Sequence, residues 1–281
     1  MFHKILVPLD GSPESEQALV PAVRLAKSVE GEIYLLRNMK LVHMMMPAMA
    51  TEYSWAWPEY SREQSRQEVR DYLDGVAGRI EQPGISVHVV AVEGDTAASI
   101  VDTAVSANVN LIVMSAKGWS SSKVREMGSI TERVLYSAAC PVLIVRKEGI
   151  QRIAVTLDGS LVAEHALATG LAAAKGLHAN LSLLRVSEPL DEKHLPREMA
   201  ESYLQSVVRG LDYPAQPFVV EGPVVESILE FGRLHGIDLI VMSTHGRTGM
   251  RRWLYGSVAA RVMRASQTSM LIVRPPAHEL S

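Results

Sequence analysis

Residues 5–12 read Ile-Leu-Val-Pro-Leu-Asp-Gly-Ser, and residues 153–160 read Ile-Ala-Val-Thr-Leu-Asp-Gly-Ser. Other segments recur in the same order, namely residues 111–115 as 239–243, Gly128-Ser129 as Gly256-Ser257, and residues 142–146 as 270–274. The repeat is about half of the 281-residue chain, whereas the units of solenoid proteins are only about 20 to 50 residues long. We therefore predict a tandem duplication of a whole domain.

The duplication divides the chain into two domains, predicted over residues 1–147 and 150–281, and each is long enough to bury its own core. From Asp10 to Gly128 the first copy runs 20 residues longer than the second from Asp158 to Gly256. The surplus belongs to an insertion rich in methionine and tryptophan, residues 40–58, with neither helical nor strand periodicity. This insertion is either a lid or partner-binding patch, or it packs on the other domain of its own chain.

The composition limits the partners and the location of the protein. Charge is nearly balanced, with 28 basic and 31 acidic residues, so nothing indicates nucleic acid or a membrane surface as a partner. The single cysteine, Cys140, cannot form an intramolecular disulfide, and neither a secretory leader nor an apolar run of membrane-spanning length is apparent. These observations predict a cytoplasmic protein whose partners are small molecules or other proteins.

Short apolar runs alternate with longer segments of helical periodicity in both halves, as expected for parallel strands that helices cover on both faces. The predicted strands of the first half lie near residues 3–9, 32–38, 85–92, 109–115 and 141–146. Those of the second half lie near residues 151–157, 179–186, 216–221, 237–243 and 269–274. The predicted fold is α/β, with two tandem Rossmann-like doubly wound domains, each a five-stranded, mostly parallel sheet flanked by helices.

The helix after the first strand shows the duplication in its predicted packing face. Small and apolar residues recur at i, i+3, i+4 and i+7, as Leu19, Ala22, Val23 and Ala26 in one half and Leu167, Gly170, Leu171 and Ala174 in the other. Ser12 followed by Pro13 is typical of an N-cap and a first helical turn. Pro21 falls inside the predicted helix and should either kink it or end it early.

A loop spaced with small residues follows the fourth strand of the second half and leads into a helix. Gly246 and Gly249 let the backbone pass close to a ligand, and the helix that opens at Gly256-Ser257 presents unpaired N–H groups. Such a helix start attracts phosphate. Nearby side chains that can add directed contacts are those of Arg247, Arg251 and Arg252.

Asp158 ends the first strand of the second half, at the carboxyl edge where open α/β sheets bind their ligands. There its carboxylate can accept hydrogen bonds from a ribose or a base. Alternatively, the tripeptide Asp158-Gly159-Ser160 forms only a turn and a helix cap. The tripeptide alone leaves both interpretations open.

Together these residues resemble the universal stress protein family, and specifically its tandem two-domain members, over essentially the whole chain. ATP-binding members are similar in carrying a glycine, two residues, a second glycine, nine residues, then glycine with serine or threonine, and an aspartate ending the first strand. The second half departs only in Ser243, which replaces the first glycine. The resemblance implies a site for ATP, with or without Mg²⁺, formed by Thr156, Leu157, Asp158, Val186, Met242, Ser243, Gly246, Arg247, Gly249, Gly256, Ser257 and Val258.

The first half keeps the same spacing with a different composition. The resemblance places Val186 against adenine, and Asn38 occupies the equivalent position in the first half. A bulky Trp119 lies in the first-half loop, although Lys117 and Lys123 can still meet phosphate. We therefore expect the second domain to be the main nucleotide site. The corresponding first-domain residues form a weaker candidate set, namely Leu9, Asp10, Ser115, Gly118, Gly128 and Ser129.

The sequence nominates no catalytic residue. It contains no Walker A loop, no G-x-S-x-G nucleophile elbow, and neither an H-E-x-x-H motif nor paired cysteines for a metal. His245 is interpreted as a loop histidine without a catalytic role, and Cys140 as a small packed residue.

The predicted function is that of an ATP-binding sensor or regulator in a stress response, with slow hydrolysis at most. The alternative is an interaction scaffold of the same fold that binds no nucleotide. The resemblance also implies a pseudo-dimer in which the two domains pair through their last strands, Val142–Val145 and Leu271–Val273. Association of two chains and the identity of a protein partner stay open.

Overall fold

The computed structural model describes residues 1–39, 57–117, 127–188, 197–244 and 257–274. The predicted insertion at residues 40–58 therefore lies almost wholly outside the described residues. The described strands are β1 (Lys4–Pro8), β2 (Glu32–Asn38), β3 (Ser86–Val92), β4 (Leu111–Ser115), β5 (Val142–Val145), β6 (Arg152–Thr156), β7 (Asn180–Ser187), β8 (Ala215–Glu221), β9 (Leu239–Ser243) and β10 (Ser269–Val273). The described helices are α1 (Pro13–Glu16), α2 (Leu19–Lys27), α3 (Trp57–Ile80), α4 (Thr96–Ser106), α5 (Ser129–Ser137), α6 (Leu161–Leu177), α7 (Arg197–Gly210), α8 (Val224–Leu234) and α9 (Ser257–Ala265).

Every strand predicted from the sequence is present, with bounds that differ by at most two residues. The strands form a 10-stranded sheet in the order β3-β2-β1-β4-β5-β10-β9-β6-β7-β8. Within each half all neighbouring strands are parallel. The predicted doubly wound α/β fold is therefore confirmed, and the strand order reverses at β1/β4 and again at β6/β9.

The two halves join through their last strands. β5 and β10 pair antiparallel, with Leu143 opposite Leu271 at the centre of the register. Both leucines are buried, so the seam between the halves is shielded from solvent like the core of each half. The pairing is the one expected for these strands, and it makes the sheet continuous through both halves.

The central strands of the sheet are buried on both faces, which explains the unbroken apolar runs of β1, β4, β5, β9 and β10. The edge strands β3 and β8 are only partly covered. Along β1, Ile5 and Val7 point into one hydrophobic cluster and Leu6 points into the other. The first cluster lies under α2, α3, α6 and α7, and the second under α4, α5, α8 and α9. No helix in the described ranges is long and apolar enough to cross a membrane.

The helix after β1 is interrupted, whereas its counterpart is continuous. Ser12 caps α1 by accepting from the Ser15 amide, with Pro13 in the first turn, as predicted. α1 then ends, and α2 begins at Leu19, two residues before Pro21. Because proline has no N–H and its ring crowds the carbonyl four residues earlier, Pro21 cannot continue a helix through Gln17. The second half has Thr169 at this place, and α6 runs unbroken.

Candidate functional site

The carboxyl ends of β1, β2 and β4 and the first turns of α4 and α5 surround a cavity of about 240 Å³ in the first domain. This is the position where the strand order reverses, and open α/β sheets bind ligands there. The cavity is lined by Pro8, Leu9, Asp10, Ser15, Leu36, Arg37, Asn38, Thr96, Ile100, Met114, Ser115, Lys117, Gly128, Ser129, Ile130 and Thr131. All of the described residues in the first-domain candidate set are among them.

Asp10 lies in the cavity wall and is held there by a turn. Its Oδ1 accepts hydrogen bonds from the Ser12 amide at 2.9 Å and from the Ser12 hydroxyl at 2.5 Å. Asp158 does the same in the second domain, where Ser160 donates from its amide at 2.9 Å and from its hydroxyl at 2.6 Å. The turn-and-cap interpretation of the Asp-Gly-Ser tripeptide therefore describes both copies, and in the first copy the turn also fixes a carboxylate at the cavity.

Arg37 supplies a cation to the same wall. Its guanidinium carbon lies 4.3 Å from the centre of the Tyr72 ring, a cation–π contact that restrains the side chain. The guanidinium also covers Gly11, since a Cβ on that residue would lie 2.8 Å from Arg37 Nη2. Gly11 has a φ of +88°, so both the turn and the arginine require glycine there.

Tyr72 connects the cavity to the helix that follows the insertion. Its hydroxyl donates to Glu16 Oε1 at 2.8 Å, and Arg79 donates to Glu16 Oε2 at 2.7 Å. Burial, together with the hydrogen bond to Glu16, raises the pKa of Tyr72 well above its ordinary value. Tyr72 therefore stays protonated and keeps donating over the whole physiological pH range.

The start of α5 forms the opposite wall. Gly128 is the N-cap residue, and no described side chain caps this helix. The Gly128 amide donates to the Ala116 carbonyl at 2.9 Å, and the Thr131 hydroxyl donates to the Ser115 carbonyl at 3.2 Å. Those bonds hold the first turn of α5 against the end of β4. An uncapped helix start that faces a cavity favours a negatively charged group.

The wall between these polar groups is apolar, and it is formed by Leu36, Ile100 and Met114. Asn38 lies at its rim and donates from Nδ2 to the Gly94 carbonyl at 2.8 Å. The side-chain amide is thus used to tie the end of β2 to the loop after β3. In the second domain the partly buried Val186 takes the place of Asn38 and packs on the hydrophobic core.

The sheet brings the described second-domain candidates to the corresponding edge. Thr156, Val186 and Ser243 lie at or next to the carboxyl ends of β6, β7 and β9, and Ser257 opens α9. The Leu157 amide donates to the Leu184 carbonyl at 2.8 Å, as the Leu9 amide does to Leu36 at 2.7 Å. Predicted residues that lie outside the described ranges are Gly118, Trp119, Lys123, His245, Gly246, Arg247, Gly249, Arg251, Arg252 and Gly256.

Several cavity residues were missed in the sequence, among them Arg37, Thr96, Ile100 and Thr131. For Arg37 a signal exists, because Arg185 occupies the equivalent position near the end of β7. Arg185 is 5% exposed, and its guanidinium carbon lies 5.1 Å from the ring centre of Tyr203. An arginine on a tyrosine ring is therefore part of both copies.

The remaining chemistry of the described residues is limited. They hold no group of three or more histidine, cysteine or acidic residues placed to bind a metal ion. Burial raises the pKa of the Cys140 thiol to about 11, so this cysteine is protonated at neutral pH. That agrees with its interpretation as a packed residue rather than a reactive one.

A family model fits both halves. The model of the universal stress protein family matches residues 1–146 and, a second time, residues 149–274. The chain belongs to the universal stress protein family. The two matches correspond to two universal stress protein domains in tandem, each with its own set of parallel strands.

Individual relatives agree with this assignment. A universal stress protein of Methanocaldococcus jannaschii is 32% identical over 147 residues, which cover 52% of this chain and 84% of the relative. A universal stress protein of Mycobacterium tuberculosis strain H37Rv is 25% identical over 296 residues, with 96% of each chain covered. A solved universal stress protein from Archaeoglobus fulgidus shares the fold at a TM-score of 0.72 with 22% identity, covering 98% of this chain and 97% of that chain.

Proposed function

We propose that this universal stress protein binds an adenine nucleotide at the carboxyl edge of each domain and acts as a sensor or regulator in a stress response. The observation that carries the proposal is the first-domain cavity. Its apolar wall can hold a base, Asp10 can accept from ribose hydroxyls, and the start of α5 with Arg37 and Lys117 offers positive charge to phosphates.

We propose the second domain as the main ATP site, with or without Mg²⁺. Support comes from the spacing of Gly246 and Gly256-Ser257 and from Asp158, which the Ser160 turn holds in the same way as Asp10. Val186 offers an apolar contact to adenine, whereas the side-chain amide of Asn38 in the first domain donates to the Gly94 carbonyl. A base should therefore bind more weakly in the first domain.

The proposed activity is binding rather than rapid turnover. Fast hydrolysis needs a group that positions or deprotonates the attacking water. Among the described residues that line the cavity, the carboxylate is Asp10, whose Oδ1 is already occupied by Ser12, and there is no histidine. Slow hydrolysis at most is consistent with that set.

Thermal stability with and without nucleotide tests the proposal. A ligand that binds only the folded state, at 100 times its dissociation constant, adds about 2.7 kcal/mol to the free energy of unfolding. We expect a rise in melting temperature with ATP, ADP or AMP. No rise with any of them would overturn the proposal and leave the interaction scaffold as the function of the fold.

Titration calorimetry with matched variants locates the sites. Asp10→Ala should remove the weaker site and Asp158→Ala the stronger one, while Gly246→Val should block the second domain without touching the first. Asp10→Asn and Asp158→Asn are controls, because asparagine keeps the side-chain acceptor of the turn and removes only the charge. Unchanged binding in both alanine variants would place the site elsewhere.

A further inference from the structure

Each half ends its last strand with an arginine that the proposed site does not use. Arg146 follows β5 and Arg274 follows β10, at equivalent positions of the duplication. Arg274 Nη2 donates to the carbonyls of Leu135 at 3.3 Å and Tyr136 at 2.8 Å, near the end of α5. Arg146 Nη2 donates to the carbonyl of Met263 at 3.4 Å, near the end of α9. Each arginine thus crosses the seam to the helix of the other half.

One contact of each arginine is made to the equivalent helix position. Leu135 is the seventh residue of α5, and Met263 is the seventh residue of α9. Carbonyls in the last turn of a helix have no partner within the helix, and the helix dipole makes this end negative. A guanidinium is well suited to such an end, since it is always charged and offers several donors in one plane.

Stability alone does not explain Arg146. Its Nε is buried, and no described group accepts a hydrogen bond from it. Burial also lowers the pKa of the guanidinium. Because an incompletely paired buried cation costs free energy, an apolar side chain would fill this place with less loss. The contact to α9 is what the arginine adds.

The helices that receive these contacts are the ones that begin at the proposed nucleotide sites. Ser129, Ile130 and Thr131 of α5 line the first-domain cavity. Ser257 of α9 belongs to the glycine-serine pair of the predicted phosphate loop. Since a helix of 9 residues is only about 13 Å long and moves as one body, the position of its last turn fixes the position of its first.

We infer that Arg274 and Arg146 are positioning residues through which each domain holds the phosphate-facing helix of the other. A hydrogen bond across the β5–β10 seam holds the Arg146 backbone in place for this role, because the Ser269 hydroxyl of β10 accepts from the Arg146 amide at 3.0 Å. The part of the inference that concerns nucleotide rests on the proposed function. The part that concerns the helices does not.

Hydrogen exchange in the ligand-free full chain tests the helix part. Arg274→Met should make the amides of α5 exchange at least about tenfold faster, although the change lies in the second domain. Arg133→Met is the matched control: Arg133 also belongs to α5, and it loses only an exposed ion pair with Asp95 at 2.7 Å. Unchanged exchange of α5 in Arg274→Met would overturn the inference.

Binding of ATP and of adenosine separates positioning from a general loss of structure. Measured in an Asp158→Ala background, ATP should bind the first domain about tenfold more weakly in Arg274→Met, and adenosine should change by less than about twofold, because only ATP reaches α5 with phosphates. Arg274→Lys should recover part of the ATP affinity. Arg146→Met should act in the same way on the second domain, measured in an Asp10→Ala background.

The outcomes are distinct. Equal losses for adenosine and ATP would mean a merely structural role and would overturn the inference while the proposed function stands. If the wild-type chain binds no nucleotide but α5 still exchanges faster in Arg274→Met, the proposed function fails and the positioning role is supported.

Discussion

Tyr72 joins two kinds of contact in one side chain. Its ring supports the Arg37 guanidinium at the cavity, and its hydroxyl donates to Glu16, which also holds Arg79. The sequence predicted neither contact, because Arg37 and Glu16 both lie far from Tyr72 along the chain and the helix that carries Tyr72 follows an insertion. Only the fold brings them together.

The two roles of Tyr72 can be separated by substitution. Tyr72→Phe keeps the ring under Arg37 and removes the hydrogen bond to Glu16, so the free energy of unfolding should fall by about 1 kcal/mol with nucleotide affinity unchanged. Tyr72→Leu removes the ring as well and should also weaken ATP binding in the first domain. Urea unfolding and calorimetry measure the two effects. Equal ATP affinities in the two variants would contradict a role of the ring.

Asp95 provides a test through pH. Its hydrogen bonds from Arg133 and from the Ala98 amide lower the pKa of this carboxyl below its ordinary value. A carboxyl whose folded pKa is depressed stabilises the fold above its unfolded pKa, and that contribution is lost as the pH falls through the folded pKa.

Asp95→Asn keeps the acceptor for the Ala98 amide and removes the titrating charge. Between about pH 4 and pH 2 the wild-type chain should therefore lose more stability than the variant, as measured by urea unfolding at each pH. Above about pH 5 the two curves should run parallel. Parallel curves throughout would show that the Asp95 pKa is not shifted by folding.

At the scale of elements, strands were more predictable than helices. A strand buried on both faces must be apolar throughout, so the central strands could be located within two residues. Pro21 indicated a disturbed helix, but the apolar periodicity of this segment could not show whether α1 and α2 are one kinked helix or two helices. The structure gives two helices, because the break falls where Gln17 would have needed the missing N–H.

α6 lies closer to the sheet than an alanine would allow. A Cβ on Gly170 would come within 2.5 Å of Val155 Cγ2. Gly170→Ala should therefore lower the free energy of unfolding by about 1 to 3 kcal/mol through overpacking. Gly78→Ala in α3 is the matched control, since nothing lies within 4 Å of the place that the new methyl group would take, and the change should raise stability by up to about 1 kcal/mol. Thermal unfolding of both variants compares them directly, and equal shifts would refute the close approach.

At the scale of the whole molecule, the family resemblance anticipated the seam between the last strands, while the cavity could be anticipated only in part. Ser115 and Ser129 were in the predicted set because a spaced motif connects them, and Asp10 was there because it ends the first strand. Arg37 and Ile100 were not, because their approach depends on the order in which the strands lie side by side. The periodicity of apolar residues indicates whether a segment is a helix or a strand, but not which elements pack beside it.

The seam should couple the stabilities of the two halves. Leu143 and Leu271 face each other there, both 1% exposed. Leu271→Ala should cost about 2 to 5 kcal/mol, and hydrogen exchange should accelerate in β1 of the first domain as well as in β6 of the second. Leu161→Ala, at a side chain that is 74% exposed, is the control and should change stability by less than about 0.5 kcal/mol. Faster exchange confined to β6 would show that the halves unfold independently.

The antiparallel seam between β5 and β10 has a consequence for divergence. In an assembly of two identical chains every substitution is copied into both sites, so the sites can never differ. Here the halves are covalently joined, and Asn38 and Val186 already differ at equivalent positions. The molecule therefore holds two unlike domain edges in a strict one-to-one ratio, and neither dilution nor exchange with other copies changes that ratio.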